Sequence, residues 1–297
     1  MSETKLPSYG GQAVIEGVMM RGAKSVAIAM RAPDNQIVIH TEKLGKIYSS
    51  KISKLPLLRG LVVLWDALVL GMRALTISAN QQGEEEEQIE GPLLYLTLAV
   101  SLTFSIALFF LAPATVGHLL GDWLTINSPW VTNLIEGIIR ILILVGYLLL
   151  IRRMKDIYRV FQYHGAEHKT INAFEDGAEL TPETVSTYSL EHPRCGTAFL
   201  LTLVVFSVLL FTLIGPIESI WLKLLSRVVL IPVLASISYE YIRWTANNLE
   251  SPFVQAIIKP NLALQRLTTN EPDLEILEVA IASFNAMRVN EEEPTTL

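Results

Sequence analysis

The chain has 297 residues, 51% of them hydrophobic, and 29 acidic against 23 basic side chains give a formal charge of −6. A mean hydropathy of +0.41 is high for a soluble protein, and the acidic balance excludes a nucleic-acid partner, which needs a basic face. The single cysteine, Cys195, excludes an intrachain disulfide and so removes the case for a stapled secreted fold.

The polar stretch Met1 to Gly11 has no apolar core of the signal-peptide kind, so membrane insertion is expected to rely on internal segments. Gly10, Gly11, Gly17 and Gly22 surround a short strand-like run that carries Glu16 and Arg21. Tight turns in a small sheet explain these glycines, because no lysine-serine pair of the phosphate-loop kind follows. The functional alternative has Glu16 or Arg21 pointing into a site. Val26 to Met30 and Ile37 to Ile39 flank Pro33-Asp34-Asn35, which predicts a hairpin.

Leu57 to Ile77 is apolar but holds Arg59, Asp66 and Arg73, and Lys46, Lys51 and Lys54 precede it. It reads as an interfacial or re-entrant amphipathic helix. Glu84 to Glu87 then form a solvated linker. Four membrane-length runs follow: Leu93 to Ala112, Leu134 to Ile151, Ala198 to Ile214, and Val228 to Tyr241 with a start near Ile220. Glu136 and Arg140 interrupt the second run and sit four apart, where they can pair within a helix. Arg152, Arg153, Lys155 and Arg159 mark the far end of that run as cytoplasmic, and their position suits anionic headgroups. The loop from Pro113 to Trp130 has no Lys or Arg and should face outward. Both termini then lie in the cytoplasm, with Lys223 and Arg227 as exceptions near the outer face.

After the second run, Ile157, Val160, Phe161, His164, His168 and Ile171 recur at helical spacing. One helix is expected to continue from the membrane to about Asp176, where Gly177 stops it. Thr181-Pro182-Glu183 opens a second helix that should end near Glu191, because Pro193 disfavours helix in the residue before it. The segment is therefore read as a cytoplasmic helical hairpin. Near the end, Asp273 and its neighbours start a helix whose stripe is Leu274, Leu277, Ile281, Phe284 and Met287, and the tail after Asn290 is expected to be disordered.

The fold class is thus a mainly α membrane protein: about four transmembrane helices plus an interfacial helix, a small N-terminal β element and a cytoplasmic helical hairpin. Its regions are 1–55 (β-containing), 56–92 (interfacial helix and acidic linker), 93–151 (first two spans), 152–197 (hairpin), 198–245 (last two spans) and 246–297 (C-terminal helix and tail). No internal repeat is found.

The densest polar cluster is Tyr163-His164-Gly165-Ala166-Glu167-His168-Lys169. Its H-x-x-E-H spacing is that of inverted zinc proteases, and positions i, i+3 and i+4 share one helix face. Two neutral imidazoles with a carboxylate can bind zinc and activate water, with Glu167 as the base or as an orienting partner. A third ligand is needed, and His192 is the first candidate, with Cys195 and Glu240 as alternatives. His192 and Cys195 share a segment with Arg194, whereas Glu175 is expected to face solvent. A straight helix would carry His164 roughly 20 Å from Ile151, so a meeting with His192 requires a bend. The alternative is packing, with both histidines on the apolar stripe of Ile157 and Phe161 and with Glu167 and Lys169 in surface pairing. His40 ends a strand and His118 lies at the outer loop, away from this cluster.

Gln12 to Gly22, Tyr163 to Lys169, His192-Pro193-Arg194-Cys195-Gly196-Thr197 and Leu267-Thr268-Thr269-Asn270-Glu271-Pro272-Asp273 together resemble the YqhQ family. These are bacterial integral-membrane proteins of unknown function, commonly labelled predicted metal-dependent enzymes. The four blocks stand in family order, with Asn270 where a basic residue is expected, which puts a local surface contact in doubt. The resemblance implies a bacterial inner-membrane location and a divalent metal such as zinc. Two functions remain open: a metal-dependent hydrolase at the cytoplasmic membrane face, or a non-enzymatic scaffold. Its partners would be membrane lipid and a protein partner or second copy. A transporter fits less well, since no broken helices with inverted symmetry are seen.

Overall fold

The computed structural model describes residues 9–45, 55–83, 91–126, 128–215, 217 and 219–292. Lys46, Lys51, Lys54, the Glu84–Glu87 linker and the tail from Glu293 lie outside them. The protein is mainly helical, with one four-stranded antiparallel sheet in the order β1-β2-β3-β4.

β1 (Gly10–Val14), β2 (Gly17–Arg21), β3 (Ser25–Arg31) and β4 (Ile37–Lys43) form a meander, and the expected turn around Pro33-Asp34-Asn35 joins β3 to β4. Val14 pairs with Gly17, leaving Ile15 and Glu16 as the first loop, with Glu16 at φ 52°. Asn35 at φ 70° serves the β3–β4 turn, a left-handed position that asparagine tolerates. Side chains alternate across β2 and β3. Val18, Met20, Ala27 and Ala29 meet Ile276, Ala280 and Phe284 of the last helix, α11 (Leu274–Glu292). Met19, Val26, Ile28 and Met30 face Ala74 and Leu70 of α1 (Leu58–Gln82). Because both faces are covered, Ser25 to Met30 is buried throughout.

Helix α2 (Gly91–Ile106) runs through a π-helical turn (Ala107–Leu111) into α3 (Ala112–Trp123), a longer rod than Leu93 to Ala112 predicts. The bundle continues with α4 (Pro129–Ile151), α7 (Gly196–Ile214), α8 (Ile220–Val229) and α9 (Ile231–Ala246). Among the described residues three helices are long and apolar enough to cross a membrane: Tyr95–Trp123, Trp130–Ile151 and Gly196–Ile214. A fourth is reached if α8 and α9, bent by 44°, form one span. Pro232 in the first turn of α9 accounts for the bend. Helix α1 is not in that set. It joins bundle to sheet, since a Cβ on Gly60 would lie 2.7 Å from Ser236 Cα of α9 while Ala74 packs under the strands. Trp65, Leu68 and Val69 on its outer side are exposed.

Three expectations are corrected. The helix through the histidines does not continue α4: Met154 is extended (ψ 132°), and α5 (Lys155–Glu175) starts anew after it. The second arm of the hairpin is only α6 (Pro182–Ser186), capped by Thr181. Residues 186–191 instead form a strap whose carbonyls bind α5, with Lys169 Nζ on Ser186 and Tyr188 and Asn172 Nδ2 on Ser189 and Glu191. Those contacts hold the strap against α5 in place of a second helical arm. Finally, two helices follow α9: α10 (Pro252–Thr268), with Pro260 inside it, precedes α11, which reaches Glu292, beyond the expected end at Asn290. Asp273 caps α11 at Ile276 N (2.8 Å), but Leu274 is exposed and outside the stripe.

Candidate metal centre

Three elements converge where α5 passes the start of α7. α5 brings His164 and His168, the start of α7 brings Cys195 as its N-cap, and the end of α10 brings Thr268. The strap supplies Leu190. One ligand atom each from His164, His168 and Cys195 lies within 4.8 Å of the others. His164 Nδ1 donates to the Thr268 carbonyl (2.8 Å) and His168 Nδ1 to the Leu190 carbonyl (2.5 Å). A carbonyl can only accept, so both rings are held as Nδ1–H tautomers with Nε2 lone pairs directed elsewhere.

His164 Nε2 meets Cys195 Sγ at 3.1 Å, and Thr197 N donates to the same sulfur. His168 Nε2 is fully buried and, among the described residues, has no hydrogen-bond partner. An orphaned imidazole lone pair beside a thiol and a second imidazole is a donor set that suits zinc. His192, the expected third ligand, stands next in line with its ring 5.7 Å from that of His168. Its Nε2 is also buried, without a hydrogen bond among the described residues, 3.8 Å from Glu175 Oε2, and burial pushes its pKa down. Gln265 fixes its backbone from both sides, accepting from His192 N and donating to His192 O.

Glu240 lies elsewhere, taking Arg59 and Leu57 N at the start of α1. Glu16 is also outside the ligand group, but it anchors the helix that carries it by accepting from Arg159 and the Tyr163 hydroxyl. Arg21 ends β2. Arg194 pairs with Glu175, which corrects the expectation that Glu175 faces open solvent. Lys169 is likewise no surface residue: it is buried and, besides the two strap carbonyls, pairs with Glu271 at 2.6 Å. Arg152 binds the Arg266 carbonyl and the Asn270 side chain, so it and Arg159 are engaged within the chain. Asn270 is buried rather than superficial, and its backbone N bonds Phe161 O. His40 pairs with Glu42, and His118 lies 3.6 Å from Asp122, both away from the cluster.

Glu167 is buried against β1 and accepts a hydrogen bond from Gly11 N. A Cβ at Gly11 would stand 2.9 Å from its Cγ, so the strand approaches closely only because glycine is there. Burial pushes the carboxyl pKa up to about 7, against the pull of His164 and the Gly11 amide. Between pH 4.5 and about 7 the folded chain holds a proton that the unfolded chain has released, so stability falls as pH rises through that window. The full cost above it is roughly 3 kcal/mol. In metal-free protein, Glu167→Gln should abolish this slope and stabilise at pH 8. Urea midpoints across pH 4 to 8 that fall equally in the variant would refute the assignment.

A family model described as a protein of unknown function (DUF1385) matches residues 55–290. The uncharacterized protein YqhQ of Bacillus subtilis (strain 168) is 36% identical over 305 residues, covering 97% of this chain and 94% of that protein. The chain belongs to this family. No solved structure matches it. Relative to other parts of this DUF1385 member, the motif-bearing blocks crowd around one place: Gly11 beside Glu167, Cys195 beside His164, and Thr268 and Asn270 behind α5. Sequence reasoning missed the Leu190 and Thr268 carbonyls, Gln265 and the Gly11 amide. Backbone groups carry no residue signal, although the glycine at 11 and the block from Leu267 to Asp273 pointed to their neighbourhood. A cavity of about 550 Å³ is lined by Arg152, Tyr158, Lys169, Leu190, Arg266 and Asn270.

Proposed function

We propose that this chain is a multi-pass protein of the bacterial inner membrane, both termini cytoplasmic, with a metal-dependent hydrolase site at the cytoplasmic membrane face. The supporting observation is the trio His164, His168 and Cys195, with both histidine tautomers set by backbone carbonyls and the His168 lone pair left open. His164, His168 and Cys195 hold a zinc-type ion, with His192 beside them as a further donor. Such an ion supplies Lewis acidity and an acidified water. Glu167, three residues past His164 on the same helix, takes and returns the proton, a task suited to a carboxyl with a pKa near 7. Membrane-proximal peptide bonds or lipid headgroup esters are the substrates within reach. The exposed apolar side of α1 lies in the interface, and lipid is the first partner.

Elemental analysis of the purified full chain tests this reading. Stoichiometric zinc should be present, and His164→Ala, His168→Ala and Cys195→Ser should each lose it while staying folded. Cobalt-loaded wild type should show a thiolate charge-transfer band that Cys195→Ser lacks. Folded wild type that neither retains nor takes up metal would overturn the reading. The alternative, a non-enzymatic scaffold or accessory subunit for a protein partner or second copy, draws on the same contacts as ties between α5, α7 and α10. Only that alternative predicts that a folded Glu167→Gln chain supports full function in cells.

A further inference from the structure

We propose that the helix bundle holds a small monovalent anion of the halide class beside Arg140, Lys223 and Arg227. These three cations and one carboxylate, Glu136, are buried together, with side-chain exposures of 1% (Arg140), 8% (Lys223), 2% (Arg227) and 1% (Glu136). All three lean on the same carboxylate: Arg140 at 2.8 Å, Arg227 at 2.9 Å and Lys223 at 3.5 Å. Among the described residues, three positive charges less one negative charge leave an excess of +2.

The other partners are neutral. Arg140 donates to Ser207 Oγ and to the Phe109 carbonyl in the π-helical turn, where the ladder is disturbed. Arg227 reaches Asn133 Oδ1 and Ser226 Oγ, both at 3.3 Å. The Phe211 ring lies 3.9 Å from the Arg227 guanidinium and 5.4 Å from that of Arg140. Dipoles and ring faces soften a buried charge without cancelling it. Lysine can shed a proton on burial, but guanidinium does not. Even with Lys223 neutral, two arginines face one glutamate and one positive charge remains. A buried, uncompensated charge is costly, which favours a counter-ion. That remainder sets the charge of the anion, and a cluster only 1–8% exposed favours a small one over a bulky one. The proposal rests on burial and charge count, independently of the metal reading.

The test is the thermal stability of the full chain in detergent, with chloride replaced by gluconate at constant ionic strength. Wild type should gain roughly 3 °C or more in Tm on saturation with chloride. Lys223→Met should weaken the apparent chloride affinity at least roughly ten-fold, about 1.4 kcal/mol. Glu136→Gln raises the excess and should fold only in chloride. A wild-type Tm equal in chloride and gluconate would overturn the proposal. A chloride response unchanged in Lys223→Met, or a rise with phosphate and not chloride, would overturn it as well.

Discussion

Lys169→Met is expected to cost about 3 kcal/mol of stability and to loosen the candidate metal centre with it. The ammonium is buried, and it donates to the carbonyls of Ser186 (2.7 Å) and Tyr188 (2.8 Å) as well as to Glu271. Glu271 is largely exposed, so its part of the stabilisation is screened and small. The two carbonyl bonds dominate, because methionine leaves both acceptors without a donor. They also tie the strap to α5 just before Leu190, whose carbonyl sets the His168 tautomer. The variant should therefore lose zinc affinity roughly ten-fold or more even where it remains folded, as supporting groups around metal ligands do. Denaturant midpoints and zinc titration on the same sample separate the two effects. A loss below about 1 kcal/mol would show that the strap holds without its lysine.

Gly165→Ala tests the same neighbourhood from inside the helix. Intrinsic propensity favours alanine by about 1 kcal/mol. Here the new methyl would run into the Asn270 carbonyl oxygen and would lie 2.7 Å from Leu190 Cδ2. The helix backbone cannot yield on one side, nor the Thr268–Asn270 segment on the other. Overpacking of this kind costs roughly 1–3 kcal/mol, so the net effect is destabilising despite the propensity gain. Pushing Leu190 and Asn270 apart also moves both carbonyls that orient the histidines, and zinc affinity should fall roughly 10- to 100-fold. Gly146→Ala is the control: nothing lies within 4 Å of its added methyl, so α4 should tolerate it. Equal behaviour of the two variants would remove Gly165 from the account of the site.

The elements legible in the sequence were those with a strong local period. The β3–β4 hairpin lies where alternation places it, the apolar rods lie near where length places them, and Thr181, Pro182, Gly177 and Asp273 cap or stop helices as their chemistry dictates. The misses have a common physical cause. Helix α10 contains Pro260 and starts at Pro252, so its pattern reads as broken. The strap after α6 looks helical because its own residues allow helix, but its carbonyls are met by Lys169 and Asn172 of another element, which no local pattern reports. The site was half legible for the same reason. His164, His168 and Cys195 are visible as residue types, but the bend at Arg152 to Met154 that brings them together is set by packing. The charges at Glu136 and Arg140 were read as a pair within one helix, whereas α8 adds two more cations to them.

The sheet that backs Glu167 is built from the first strands of the chain, yet its cover is the last helix. Ser25 Oγ bonds Met287 O across 262 residues and Ser283 Oγ bonds Ala27 O across 256. During synthesis the β meander therefore emerges early and keeps one apolar face open until α11 leaves the ribosome. Closure of such distant pairings is slow, and the exposed strands are prone to association in the interval. Chains cut short before α11 should fail as a whole: the loss of 19 C-terminal helix residues strips the N-terminal sheet.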